Sequence, residues 1–214
     1  MAPIITATAL GLWDWVVLAS PPKPKPMTFN ELPKFGATLW KEHLNLDVEE
    51  PPVPQSLIDK QNQQCPFNPT KLIKETHLLL LVPPKLSVNE FLKIIDSDFR
   101  PNHVTNALKL SGNSPTWVLL TKEPIPGTAD QLSAQQKKLA TNAGYDIPTA
   151  LEVAIGIYAN FLLNGTPIYQ YGASSSICNE ESGWPVVISH MGNTEVSITA
   201  YGVSPSGVAG IIRR

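Results

Sequence analysis

Cysteine is nearly absent from this chain, and so is every residue arrangement that would announce a chemistry. Only Cys65 and Cys178 occur, far apart in sequence. That spacing excludes a disulfide framework and a zinc pattern, and it fits a reducing compartment. Two cysteines still suffice for one long-range disulfide. Neither HExxH nor CxxC is present, so no metal site is expected, and with no Walker loop or GxGxxG no cofactor is expected either. The stretch YGASSS lacks the second glycine of a nucleophile elbow, because Ser176 stands in its place.

Charge is scarce as well, at 16% of residues against roughly 25% in typical soluble domains. The formal net charge is -2 and no basic run occurs, so no nucleic-acid partner is expected. Low charge accompanies either large intermolecular contacts or extensive internal burial. Residues 2–19 form an apolar run, but Gly11 and Asp14 interrupt it and no Lys or Arg precedes it. A cleavable secretory signal and an integral membrane span are both disfavoured. The expected location is cytoplasmic, or inside a host cell after secretion without a cleavable signal peptide. Within the run Trp13, Trp15 and Val17 alternate with Asp14 and Val16, the period of a half-buried strand.

Proline is abundant instead. Eleven of the 21 prolines lie in the first 70 residues. PPKPKP, Pro21 to Pro26, reads as an extended polyproline II spacer rather than a ligand for a peptide-binding groove. A weak helical period after Thr28 predicts a short helix near Phe35 to His43, stopped by Pro51, Pro52 and Pro54. Residues 1–74 are therefore expected to wrap a core formed by residues 75–214, within one structural domain.

That core centres on TALEVAIGIYANFLL, Thr149 to Leu163. Thr149 and Glu152 match the S/T-x-x-E capping box, and Asn164-Gly165 provides the stop. A helix apolar nearly all round must be covered on most sides, and fifteen residues are too few for a bilayer span. THLLLLVP and TWVLLT read as strands buried on both faces, with a helix between them opened by the Ser87–Glu90 capping box. This order permits a parallel crossover without requiring it. Thr128 and Gln131 predict a further capping box, starting an amphipathic helix through Leu132, Leu139 and Ala143 that ends at Gly144 and pairs with the central helix. Strands predicted at 167–171, 184–190, 195–201 and 207–212 suggest an antiparallel meander. The expected fold class is α+β, with a mixed or antiparallel sheet packed on a buried central helix and an amphipathic partner.

Catalytic candidates are few. Cys178 lies in SSSICNEESGW, read as a polar loop between predicted strands, and a nucleophilic thiol needs a base beside it, which His190 or His77 could supply in space. No cysteine-protease signature surrounds it. Cys65 in QQCPFNP reads as packing, His77 as a hydrogen-bonded residue opening a buried strand, and His43 and His103 carry no motif.

The order of WDWVVLASPPKPKPMT, QQCPFNP, KETHLLLLVP, SPTWVLLTKEPIPGT, GYDIPTALEVAIGIY and GVAGIIRR resembles an uncharacterised protein family of chlamydia-like bacteria, the environmental relatives of Chlamydia. The resemblance covers nearly the whole chain and implies no established activity, cofactor or catalytic residue. Near SSSICNE the family pattern has a tyrosine, an arginine and Cys-Gln before a Glu. Cys178 and Glu180 would match it, whereas Ile177 replaces the arginine that could have activated the thiol. The family carries a glycine-rich strand and turn where this chain has VVISHMGNTEV, so no role passes to His190. Together these readings lean away from an enzyme and toward a protein-interaction module with an unidentified partner, including a host-directed one. The alternatives are a cysteine-dependent hydrolase using Cys178 with His190 or His77, and a small-ligand binding domain with a pocket beside the central helix. The oligomeric state is not encoded legibly.

Overall fold

The computed structural model describes residues 14–17, 34–96, 101, 103–106, 108, 110–166, 168–169, 176–178, 186–191, 195–200 and 207–213. In chain order these form β1 (Asp14–Val17), β2 (Lys34–Phe35), α1 (Ala37–Leu44), α2 (Gln55–Gln61), β3 (Gln64–Cys65), β4 (Asn68–Leu72), α3 (Ile73–Thr76) and β5 (His77–Val82). There follow α4 (Val88–Ile95), α5 (His103–Asn106), β6 (Thr116–Thr121), α6 (Ser133–Asn142) and α7 (Ala150–Asn164). The last strands are β7 (Ser176–Cys178), β8 (Val186–Met191), β9 (Glu195–Ala200) and β10 (Ile211–Ile212). Helices and strands mixed in this way make the fold α+β.

Helix α7 forms where the sequence predicts it. The Thr149 hydroxyl accepts from Glu152 N at 3.3 Å, and the Glu152 carboxylate accepts from Thr149 N at 2.7 Å. At the far end Gly165 takes φ 67°, and its N–H returns to the Phe161 carbonyl at 2.9 Å. Eleven of the fifteen helical residues are buried, because α7 has a sheet on either side. It packs against β5 and β6 on one flank and against β7 and β8 on the other.

The first of these sheets is mixed, with order β10-β6-β5-β2. β5 and β6 are antiparallel, pairing Leu78 with Leu120 and Leu80 with Val118, while β2 lies parallel to β5. The crossover from β5 through α4 to β6 therefore returns antiparallel. Gly156 of α7 sits against Leu120 and Leu80, so those positions face the helix and the alternate ones face away. On the outward face the Trp117 indole donates to the Pro51 carbonyl at 2.7 Å. Phe35, Trp40, Phe91 and Tyr158 meet edge to face at 5.0 to 6.3 Å between centroids, joining β2, α1, α4 and α7.

The second sheet is an antiparallel β1-β9-β8-β7 array. The strand expected around Trp13 to Val17 is β1, and its partner is β9. Three details of the expected meander differ. The strand paired with β8 ahead of it in the chain is β7, and of the strand expected at 167–171 the described residues Ile168 and Tyr169 form a bend, with Tyr169 at φ 55°. β10 leaves the meander and pairs with β6 instead. Cys178 ends a strand rather than occupying a loop.

The helix expected from Thr128 begins only at Ser133. Thr128 is fully buried, and its hydroxyl accepts from Val208 N at 3.0 Å and donates to the Ile125 carbonyl at 2.6 Å. That tie to a distant segment outcompetes the local cap. The packing partner of α7 is α4, whose Ser87–Glu90 capping box is formed, with Glu90 N donating to the Ser87 hydroxyl at 3.0 Å and Ser87 N to the Glu90 carboxylate at 2.8 Å. Cys65 is a free thiol, so the two cysteines are not bridged. PPKPKP lies outside the described residues.

Ile155 is fully buried. Ile155→Asp places a charge between the sheets, at a cost of several kcal/mol that about equals a domain's net stability. The expected result is loss of the cooperative thermal transition, and a wild-type melt would refute the sandwiched-helix arrangement. A Cβ at Gly156 would lie 2.3 Å from Leu120 Cδ2. Overpacking of roughly 1–3 kcal/mol there outweighs the roughly 1 kcal/mol that alanine adds to a helix. Gly156→Ala should therefore lower stability in urea by about 1 kcal/mol, and Gly156→Val by more.

Candidate functional site

A cavity of about 160 Å³ opens where β4 and α3 meet the end of β6 and the turn after it. Local sequence explains its shape. β6 stops at Thr121, after which Pro124 and Pro126 cannot continue a ladder, and the chain turns away from the sheet. Cys65, His77 and Thr121 supply buried walls, Phe67 is half-buried, and Lys71, Glu75 and Glu123 stand at the exposed margin. Lys122 is also half-buried, with its backbone N–H on the Thr76 carbonyl and its ammonium on the Glu75 carbonyl, both at 2.9 Å.

His77 lies at the back of this cavity with both ring nitrogens occupied. Nδ1 is 3.1 Å from the Ile73 carbonyl and 2.8 Å from the Thr76 hydroxyl, and Nε2 is 3.0 Å from the Tyr145 hydroxyl. A carbonyl can only accept, so Nδ1 carries the proton and Tyr145 donates to Nε2. The two rings stack at 5.6 Å. A Cβ at Gly210 would come within 2.5 Å of the Tyr145 ring, so glycine at 210 leaves the space Tyr145 needs. Gly210 also exchanges hydrogen bonds with Thr121, its carbonyl accepting from Thr121 N and its N–H donating to the Thr121 hydroxyl, each at 3.0 Å.

The electrostatics favour neutral forms. Burial lowers the His77 pKa from 6.5 to about 4, opposed by the Ile73 hydrogen bond and assisted by Lys122. Burial, with Cys65 beside it, pushes the Tyr145 phenol up. Lys122 is lowered by burial first and by Lys71 second, with Glu75 acting the other way. A neutral imidazole accepting from a neutral phenol is a structural pair, because neither nitrogen is free to move a proton to or from a ligand.

Of the other sequence candidates, Cys178 and His190 both fall in the second sheet. The register sets Cys178 opposite Val186 and His190 opposite Val196, so the two backbone positions lie four residues apart along β8. At about 3.3 Å per residue that is roughly 13 Å, more than a direct thiol–imidazole pair spans. His77 belongs to the first sheet. His43 is on α1 and His103 opens α5. Among the described residues no group of three His, Cys, Asp or Glu could hold a metal ion, and no helix is long and apolar enough to cross a membrane. Tyr145, Lys71 and Lys122 escaped the sequence reading. Tyr145 is 68 positions from His77, and no local pattern signals such a pair. No family model, curated protein or solved structure matches this chain.

The unfolded state binds a proton at His77 near pH 6.5, whereas the folded state does so only near pH 4. Stability should therefore fall as pH drops between those values, by about 3 kcal/mol in total. Denaturation midpoints measured from pH 7.5 to 4 should show this slope, and His77→Gln should remove that part of it. An unchanged slope in the variant would contradict the assignment.

Proposed function

We propose that this is a non-enzymatic binding protein that takes a small ligand into the cavity between β4, α3 and the end of β6. The observation that carries the reading is the cavity itself, about 160 Å³ with buried walls of Cys65, His77 and Thr121. A cavity of about that volume accepts a single six-membered ring, and a concave site with a few polar groups is the usual form of a ligand pocket. Its place differs from the one expected from sequence, since α7 covers the opposite face of β5 and β6. The closed hydrogen bonding of His77 supports binding over catalysis.

Two other readings compete with it. Cysteine-dependent hydrolysis needs a base beside Cys178, and the register offers His190 only at four residues' distance. A protein-interaction module, host-directed or not, draws on the 16% charge content, for which burial of α7 between two sheets accounts equally. Membership of the chlamydia-like family is proposed on segment order alone. A binding protein of this kind serves in the cytoplasm or after secretion into a host.

A screen of single-ring fragments by amide NMR should find binders at millimolar concentration whose shifts centre on Phe67, Thr121 and Lys122. Absence of any binder, or shifts confined to other parts of the chain, would sink the proposal.

A further inference from the structure

We infer that the ligand of this cavity is a small organic anion, a carboxylate on an apolar ring, with Lys122 as its principal counter-charge and Lys71 as a second. The inference rests on the binding reading above and adds the ligand class. Lys122 is half-buried at the cavity wall, yet the ion pairs found among the described residues include neither it nor Lys71. The acid adjoining it is partly engaged elsewhere: one Glu75 carboxylate oxygen receives Leu72 N at 2.7 Å, and Lys122 bonds to the Glu75 backbone carbonyl rather than to its carboxylate. Glu75 and Glu123 are exposed at the margin, as is Lys71, so solvent and salt screen those three charges more than that of Lys122. A cation partly removed from water without a carboxylate partner costs free energy, and an anion beside it offsets that cost.

The remaining walls select the body of the ligand. Phe67, the Cys65 sulfur, Pro124 and Pro126 offer apolar surface, which an inorganic anion would leave uncovered. His77 and Tyr145 are neutral and paired with each other, so neither repels a carboxylate and neither competes for it. The burial and the Lys71 neighbour that hold Lys122 toward its neutral form are both opposed when a negative charge arrives.

The test is calorimetric titration of the full chain at pH 7 with benzoate and with its neutral isostere benzamide. Benzoate should bind at least tenfold more tightly. The preference should disappear in Lys122→Met and shrink in Lys71→Met. Equal binding of the two compounds would overturn the anion inference while leaving the cavity reading intact. Binding of neither would overturn both. A benzoate preference undiminished in the lysine variants would remove the lysines from the site. Should Lys122→Met fail to fold, exposed Lys71 and the comparison in the unmodified protein still decide.

Discussion

Everything in this fold depends on covering one helix on all sides. α7 has no broad polar face, and eleven of its fifteen residues are buried, so a single supporting sheet would leave half of it in water. The chain meets this demand with two sheets, one mixed and one antiparallel, that share the helix between them. α4 and the aromatic contacts around Phe91 close the gap at one side. The polar groups that remain on the helix are satisfied within it or at its ends. Glu152 serves its own cap and receives Arg213 at 2.6 Å, and Asn160 donates to the Thr166 carbonyl at 2.6 Å.

The cavity is a by-product of the same layering. β5 and β6 present one face to α7, which leaves the residues at the other face to be covered by β3, β4 and the turn after β6. That cover is made of short elements punctuated by proline, and it is incomplete around Lys122. The same burial that closes the back of the cavity keeps His77 and Tyr145 uncharged. Buried neutral walls and an exposed charged margin are thus two consequences of one uneven covering.

Sequence made the local elements legible and the long-range ones obscure. The boundaries of β5, α4, β6 and α7 could be read because capping boxes and continuous apolar runs are local patterns. The Thr128–Gln131 box failed for the same reason: its pattern is local, but Thr128 is claimed by Val208 across 80 positions. β10 was misplaced in the meander because two residues carry no information about which strand they will join. The cavity was invisible, since Cys65, His77, Lys122 and Tyr145 belong to separate segments and none of them sits in a recognisable motif. Cys178 and His190 drew attention through residue type alone, which says nothing about register.

The pairing of β1 with β9 also sets a timetable. Asp14 lies opposite Ile198, so the earliest of the described strands has no partner until almost the whole described chain has followed it. At synthesis rates of about 5–20 residues per second, that delay is roughly ten to forty seconds. β5, β6 and α7 can assemble from neighbouring segments in the meantime, whereas β1 and the flank of α7 meant for the second sheet stay uncovered. The nascent protein thus passes through a half-built stage with apolar surface open to water, the condition under which chaperones are needed.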